Sequence, residues 1–269
     1  MATSGFLPVH PFSAVQRRLR DEWFALTETP DTWTEVGAIG DGESGSIRVI
    51  NNVTRLPGAA KPGPQKGSEE NHCRAAHEKL AFDLSCLVGV TVCPVVLWGE
   101  GSGAQYKRGR SISAWAFPQS KKWEEAENLK VLTPELRASA GPMISALRVF
   151  YAWIGNTDLG PKHVHVNLEG PDDEVILAFY DHANAFSQVW TAPNAALALC
   201  TDFMNPHGVP VIPEVMVEAA LCIASLDDAE ITRLVQRIPI IYLPEPYRGN
   251  IISNLLSRKG QLRALLPNP

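Results

Sequence analysis

The spacing of apolar and polar positions divides the chain into two parts of different character. Residues 11–26, "PFSAVQRRLRDEWFAL", alternate apolar and charged positions at helical spacing. Pro30 and the Thr/Asp cluster of "TETPDTW" end that helix, because these residues favour turns. "TWTEVGAIG" and "SIRVINNV" then read as two short strands rich in β-branched residues, with "AAK" (59–61) as a third before a polar loop. "SEENHCRAAHEKLAFDLSCLVG" is a helix, with Ser68, Glu69 and Glu70 suited to its first turn and Gly89 to its stop. "VTVCPVVLWG" and "SISAWAFP" read as further strands. The first ~117 residues are thus mainly strands around one helix.

The remainder is mostly helical. "TPELRASAGPMISALRVFYAWIGN" is a long apolar helix or two shorter ones. "KHVHVNLEGPDDEVILAFYDHANAF" reads as a hairpin of two strands around the turn "EGPDDE". "EVMVEAALCIASL", "DAEITRLVQRI" and "RGNIISNLLSRKGQLRALL" are amphipathic helices. The pattern predicts an α+β fold in which a β-rich lobe precedes an α-rich lobe.

Composition narrows the classes of partner. With 45% hydrophobic and 20% charged residues over 269 positions, the chain is of ordinary globular type. The net charge is −5 and no Lys/Arg block forms an arm, so a nucleic-acid partner is not expected. No apolar run reaches ~18 residues, so no membrane span is expected. The N-terminus lacks a basic segment followed by an apolar core, which argues against a secretory signal. Five cysteines without C-x-x-C spacing, mostly in apolar runs, read as buried thiols in a reducing cytoplasm.

Candidate chemistry begins at "AIGDGESGSI", where Gly40, Gly42 and Gly45 complete a G-x-G-x-x-G. A dinucleotide-binding loop of this form must precede a helix. Here a strand follows, which removes that reading. Two readings stay open: a phosphate-covering loop between strands, or three turn glycines. No G-x-S-x-G or Cys/His signature supports a hydrolase.

Four polar residues follow the loop in a suggestive order. Lys61 lies sixteen positions after Gly45, on a candidate strand. Glu78 lies on a helix whose neighbours Leu80, Leu84 and Leu87 are apolar. A carboxylate beside such a core needs a cation, and Lys61 is a candidate. Asp158 sits in a turn after an apolar helix. Asp181 ends the run Ile176-Leu177-Ala178-Phe179-Tyr180. An acid at the exit of a buried strand is costly unless something uses it, and bound Mg²⁺ is such a use. Each residue also has a plain reading: a loop lysine, a solvated helix glutamate, a turn aspartate at 158 and a turn cap at 181. His163 and His165, two positions apart, would share one face of a strand. They read as half a metal site or as packing residues.

Taken together, these segments resemble the HipA-type kinases and the related phosphatidylinositol 3-/4-kinase-like group. "AAKPG…HCRAAHEKLAFDLSCLVGVTVCPVVLW" is similar to their phosphate-binding Lys, helical Glu and following strand entry. "IGNTDLGPKHVHVNL" resembles their N-T-D-x-H-x-x-N loop, and "LAFYDHANAF" their metal loop. The resemblance covers about residues 35–190, and the C-terminal helices also fit. It implies one bilobal protein-kinase-like unit, with 1–117 as N-lobe, including the N-terminal helix, and 118–269 as C-lobe.

The resemblance also implies roles. Lys61 would hold the phosphates of ATP, Glu78 would hold Lys61, Asp158 would orient the acceptor hydroxyl as base, and Asp181 would bind Mg²⁺. Gly40, Gly42 and Gly45 would let the backbone approach the phosphates, with Asp41 and Glu43 turned to solvent. Backbone groups within Ile112–Phe117, at Ala114, Trp115 and Ala116, would face adenine. Two positions depart from the family pattern. Gly160 stands where a His is expected, and His163 where a metal-binding Asn is expected, with Asn167 as a substitute only if the loop is longer. Neutral His is a poor Mg²⁺ ligand. Lys162 would then help neutralise the γ-phosphate. The implied function is ATP- and Mg²⁺-dependent transfer to a hydroxyl, with a protein Ser/Thr preferred as acceptor. A lipid or small-molecule hydroxyl, and a pseudokinase that binds without transfer, are the alternatives. Retention of Lys61, Glu78, Asp158 and Asp181 weighs against the last.

Overall fold

The computed structural model describes residues 26–39, 45–62, 73–99, 110–115, 119–168, 176–186, 199, 207–245 and 247–266. All of the helix expected over 11–26 except Leu26, together with Gly40, Gly42, Ala116, Ser68 to Glu70 and the turn "EGPDDE", lies outside them.

A six-stranded sheet forms the first half. Its strands are β1 (Thr27–Glu28), β2 (Trp33–Ala38), β3 (Ile47–Asn51), β4 (Pro57–Pro62), β5 (Val95–Trp98) and β6 (Arg110–Ala114), in the order β1-β5-β6-β4-β3-β2. All pairings are antiparallel except β1 with β5. β2 and β3 pair up to Ala38–Ile47, so the glycine segment joins two strands as the pattern predicts. Strand alternation sorts β5 cleanly. Val96 and Trp98 enter a small core with Trp33, Val49, Ala60, Ile112 and Ala114. Val95 and Leu97 face the main core on the other side.

On that other side lies helix α1 (Arg74–Val88). Its described range starts at Arg74, with Cys73 as N-cap, and that first turn carries no acid. It ends where expected: Gly89 takes φ +73°, a left-handed turn that glycine adopts without a Cβ penalty. Twelve of its fifteen residues are buried, so it is enclosed on nearly every side. Leu80, Phe82 and Leu84 are fully buried, each worth about 1.5–3 kcal/mol. Beyond the sheet it touches two helices of the second half, Pro213–Ala224 and Asp228–Gln236.

The second half opens with a two-residue strand β7 (Lys121–Lys122) and a short helix α2 (Trp123–Asn128). The apolar periodicity does not reveal α2, because only Trp123 and Ala126 are buried in it. Helix α3 (Pro134–Ile154) is one continuous helix despite Pro142. Strands β8 (Val164–Asn167) and β9 (Ile176–Phe179) pair antiparallel as a hairpin, with β7 on the outer edge of β8. Helices α4 (Pro213–Ala224), α5 (Asp228–Gln236) and α6 (Tyr247–Gln261) complete the helical part. Among the described residues no helix is long and apolar enough to cross a membrane.

The two halves are joined through main-chain bonds beside β9. Cys93 N donates to Phe179 O at 2.9 Å, and Phe179 N donates to Thr91 O at 3.1 Å. The segment between α1 and β5 thus extends the sheet of the second half. That junction brings the end of β9 beneath β4 and α1.

Candidate active site

Lys61 projects from β4 away from the small core, because its neighbour Ala60 points into that core. It meets carboxylates from two other elements. Lys61 Nζ lies 2.5 Å from Glu78 Oε1 on α1 and 3.0 Å from Asp181 Oδ1 just past β9. Burial alone would lower the pKa of Lys61. The charges of Glu78 and Asp181, with their hydrogen bonds, outweigh that and raise it. Burial likewise pushes the Glu78 carboxyl up, but the Lys61 charge and the bond from His182 hold it well below the usual carboxylate range. Both partners therefore stay ionised at neutral pH.

Asp181 adopts φ +65°, a left-handed conformation uncommon for a residue with a Cβ. The segment after it is tied to α1 at adjacent positions. His182 N donates to Glu78 Oε2 at 3.0 Å, and His77 Nδ1 donates to Ala183 O at 3.0 Å. His182 Nε2 also lies 3.0 Å from the Tyr151 hydroxyl of α3, with the two rings edge to face. Burial lowers the pKa of His77 to about 4, so it is neutral at pH 7.

Asp158 stands on the loop after α3. Gly155 closes α3 at φ +68°, and Asn156 Oδ1 accepts from Asp158 N at 3.0 Å, turning the chain. The Asp158 carboxylate is partly exposed and accepts from Asn184 Nδ2 at 3.1 Å. His163 lies between the two aspartates. Its Nδ1 is 3.1 Å from Asp158 O, and its Nε2 is 3.7 Å from Asp181 Oδ2. The loop is fixed on the other side by Tyr180 N donating to His163 O at 2.9 Å.

Lys61, Glu78, Asp181, His163 and Asp158 are thus contiguous. Asn167 is not with them: in the β8–β9 register it pairs with Ile176, whereas Val164 pairs with Phe179, two residues from Asp181. At ~3.3 Å per residue, Asn167 stands about 10 Å further along the hairpin. His165 is turned elsewhere too. Its ring packs 4.2 Å from Tyr180 and its Nδ1 meets Ser120 Oγ at 3.3 Å. Burial, aided by Lys122 and His163, lowers its pKa to about 4. Lys162 is exposed. Gly45 takes φ +62°, which suits a glycine. At Ala114 and Trp115 both amide donors are used within the protein, on Pro94 O and Pro57 O at 2.9 Å each, and Ala114 O accepts from Cys93 Sγ.

The sequence reading did not single out His182, Asn184, His77, Asn156 or Tyr151. His182 and Asn184 lie inside the quoted "DHANAF", and their closeness to Asp181 was the available signal.

The donor set accommodates a metal–phosphate group in part. Asp181 is 43% exposed, and its Oδ2 is a hard oxygen beside the Lys61 ammonium. Among the described residues no group of three or more His, Cys, Asp or Glu can hold an ion alone. A cation here would need phosphate or water ligands. As a second protein ligand, His163 suits Mg²⁺ poorly.

No protein family matches the sequence, and no curated protein does. Solved structures do match in fold. The crystal structure of a Helicobacter pylori proinflammatory kinase, CtkA, superposes with a TM-score of 0.58 at 13% identity, over 90% of this chain and 96% of that one. WaaP in complex with acyl carrier protein matches with a TM-score of 0.39 at 12% identity, over 85% and 89%. The architecture is therefore a bilobal α+β fold of kinase-like type.

Proposed function

We propose that the protein is an ATP-dependent phosphotransferase of HipA-like type that passes the γ-phosphoryl group to a hydroxyl, with a protein Ser/Thr as acceptor. The observation that carries this reading is Lys61 Nζ bonded at once to Glu78 and Asp181. Such a site needs a strand lysine held by a helix carboxylate, next to an acid that can take a metal. The kinase-like fold of the neighbour CtkA supports it.

In this reading Lys61 binds the nucleotide phosphates and Glu78 keeps its ammonium in place. Asp181 Oδ2 takes the divalent cation, Mg²⁺ in the family pattern, which when bound neutralises phosphate charge. Asp158, held by Asn184, accepts a hydrogen bond from the acceptor hydroxyl and takes its proton. Gly40, Gly42 and Gly45 form the phosphate lid. Because the amides of Ala114 and Trp115 and the carbonyl of Ala114 are engaged, adenine recognition in this reading falls to the Trp115 carbonyl and to Ala116. The lobes divide near residue 117, and cysteine thiols, of which Cys73 and Cys93 are buried and Cys86 and Cys222 half-buried, suit a cytoplasmic enzyme.

Thermal shift with ATP and Mg²⁺ or Mn²⁺ tests the reading, because a ligand of the native state stabilises it. A rise that is lost in Asp181→Ala supports it; no rise with any nucleotide overturns it. His163 at the metal-facing position favours a second reading, a pseudokinase. Radiolabelled ATP separates the two: equal background label from the wild type and Asp158→Ala would favour the pseudokinase.

A further inference from the structure

The hydrogen bond at His163 determines its tautomer. Its Nδ1 lies 3.1 Å from the carbonyl oxygen of Asp158. A carbonyl can only accept, so Nδ1 carries the hydrogen and, in the neutral ring, Nε2 carries a lone pair. That lone pair lies 3.7 Å from Asp181 Oδ2, an acceptor as well. Two acceptors so placed gain nothing from each other, and the distance is too long for a hydrogen bond.

A cation between them resolves the conflict. An ion held by both atoms would satisfy the two lone pairs at once. Both ligands are already oriented. Lys61 Nζ holds the other oxygen of Asp181 at 3.0 Å. The His163 side chain is only 5% exposed, and its main chain bonds Gly160 O and Tyr180 N at 2.9 Å each. A ring whose second nitrogen donates to a backbone carbonyl is the usual arrangement of a metal-binding histidine.

We propose that His163 Nε2 and Asp181 Oδ2 form a mixed nitrogen–oxygen site that prefers a borderline divalent ion such as Mn²⁺ or Co²⁺ over Mg²⁺ or Ca²⁺. An imidazole suits the former ions, whereas the latter demand oxygen. The inference rests on the proposed nucleotide site only for the remaining ligands, which are phosphate oxygens and water.

The test titrates Mn²⁺, with Mg²⁺ as competitor, into the full-length wild type and His163→Asn, with and without ADP. Mn²⁺ binding is read by electron paramagnetic resonance, and nitrogen ligation by the ¹⁴N coupling in its spin-echo modulation. The wild type should show ¹⁴N coupling that His163→Asn lacks, which also controls for nitrogens of ADP and of His165. The variant should lower the Mn²⁺/Mg²⁺ affinity ratio about tenfold. Equal melting temperatures without metal establish that the variant is folded; if they differ, the coupling in the wild type and its loss in His163→Gln carry the test. Absence of Mn²⁺ binding, absence of coupling, or a coupling and ratio unchanged by the substitution overturns the site, and leaves His163 as an ordinary ion-pair partner of Asp181. If ADP binds with Mg²⁺ but no coupling appears, this inference fails while the nucleotide reading stands. If ADP fails to bind with every ion tested yet Mn²⁺ alone shows coupling, the cation site stands and the nucleotide reading fails.

Discussion

The main-chain N–H of His182 donates to Glu78 Oε2 at 3.0 Å, while the other oxygen of the same carboxylate holds Lys61 at 2.5 Å. One buried side chain on α1 therefore ties together β4 and the loop after β9. Its removal leaves a part-buried ammonium with half its partners and an orphaned amide. Breaking a buried pair by deleting one member costs roughly 3–5 kcal/mol. Glu78→Ala should therefore lower the urea midpoint strongly at unchanged slope. A Glu78→Ala loss below about 1 kcal/mol would contradict this arrangement.

The side chain of His182 gives a second expectation. Its Nε2 and the Tyr151 hydroxyl are buried partners at 3.0 Å. Tyr151→Phe leaves an unsatisfied imidazole nitrogen, at a cost of about 1–3 kcal/mol. Replacing both partners by apolar rings removes the desolvation penalty as well as the bond. The double variant Tyr151→Phe/His182→Phe should be more stable than the sum of the single losses, by at least about 1 kcal/mol in a double-mutant cycle. Strict additivity would rule out the coupling.

Much of this site can be read from the chain, for a physical reason. Lys61, Glu78 and Asp181 are charged residues set beside apolar runs, and buried charge demands partners. That demand is visible in one dimension. The anchoring role of His182 is not, because it acts through a main-chain N–H that every residue but proline has. Asn167 illustrates another limit. Its type suits a metal ligand, but the hairpin register carries it away from Asp181, and register depends on pairing across strands. Helix α2 was hidden because six residues with two buried positions make no period. The β-rich then α-rich order was legible because strand and helix periods differ so clearly.

Acid should weaken the fold before it protonates ordinary carboxylates. His77 and His165 have pKa values near 4, lowered chiefly by burial from an unfolded value of 6.5. Between those values the unfolded chain takes up protons that the native protein refuses. Their contribution is therefore complete above pH 6.5 and is lost as pH falls toward 4. At 1.36 kcal/mol per unit, each accounts for up to about 3 kcal/mol. The charges of Glu78 and Arg74 beside His77 act in opposite directions and matter less than burial. The urea midpoint should be lower at pH 5 than at pH 7.5. His77→Gln, which keeps a donor for Ala183 O, with His165→Phe should remove most of that difference. An undiminished pH dependence in the double variant would refute the assignment.

Asp158 offers the sharpest separation of chemistry from binding. Its carboxylate is partly exposed and touches Asn184, whose Nδ2 donates to it at 3.1 Å. In Asp158→Asn the amide oxygen still accepts from Asn184, so the loop keeps its shape while the proton acceptor is gone. If Asp158 takes the hydroxyl proton, phosphotransfer in single-turnover radiolabel assays should fall by about 10²–10⁴-fold. The thermal shift with nucleotide should persist, because Lys61, Glu78 and Asp181 are untouched. A variant that loses the nucleotide shift along with transfer would make Asp158 a binding or structural residue. One that keeps transfer at the wild-type rate would remove it from the chemistry altogether, and the base would have to be sought elsewhere in the site.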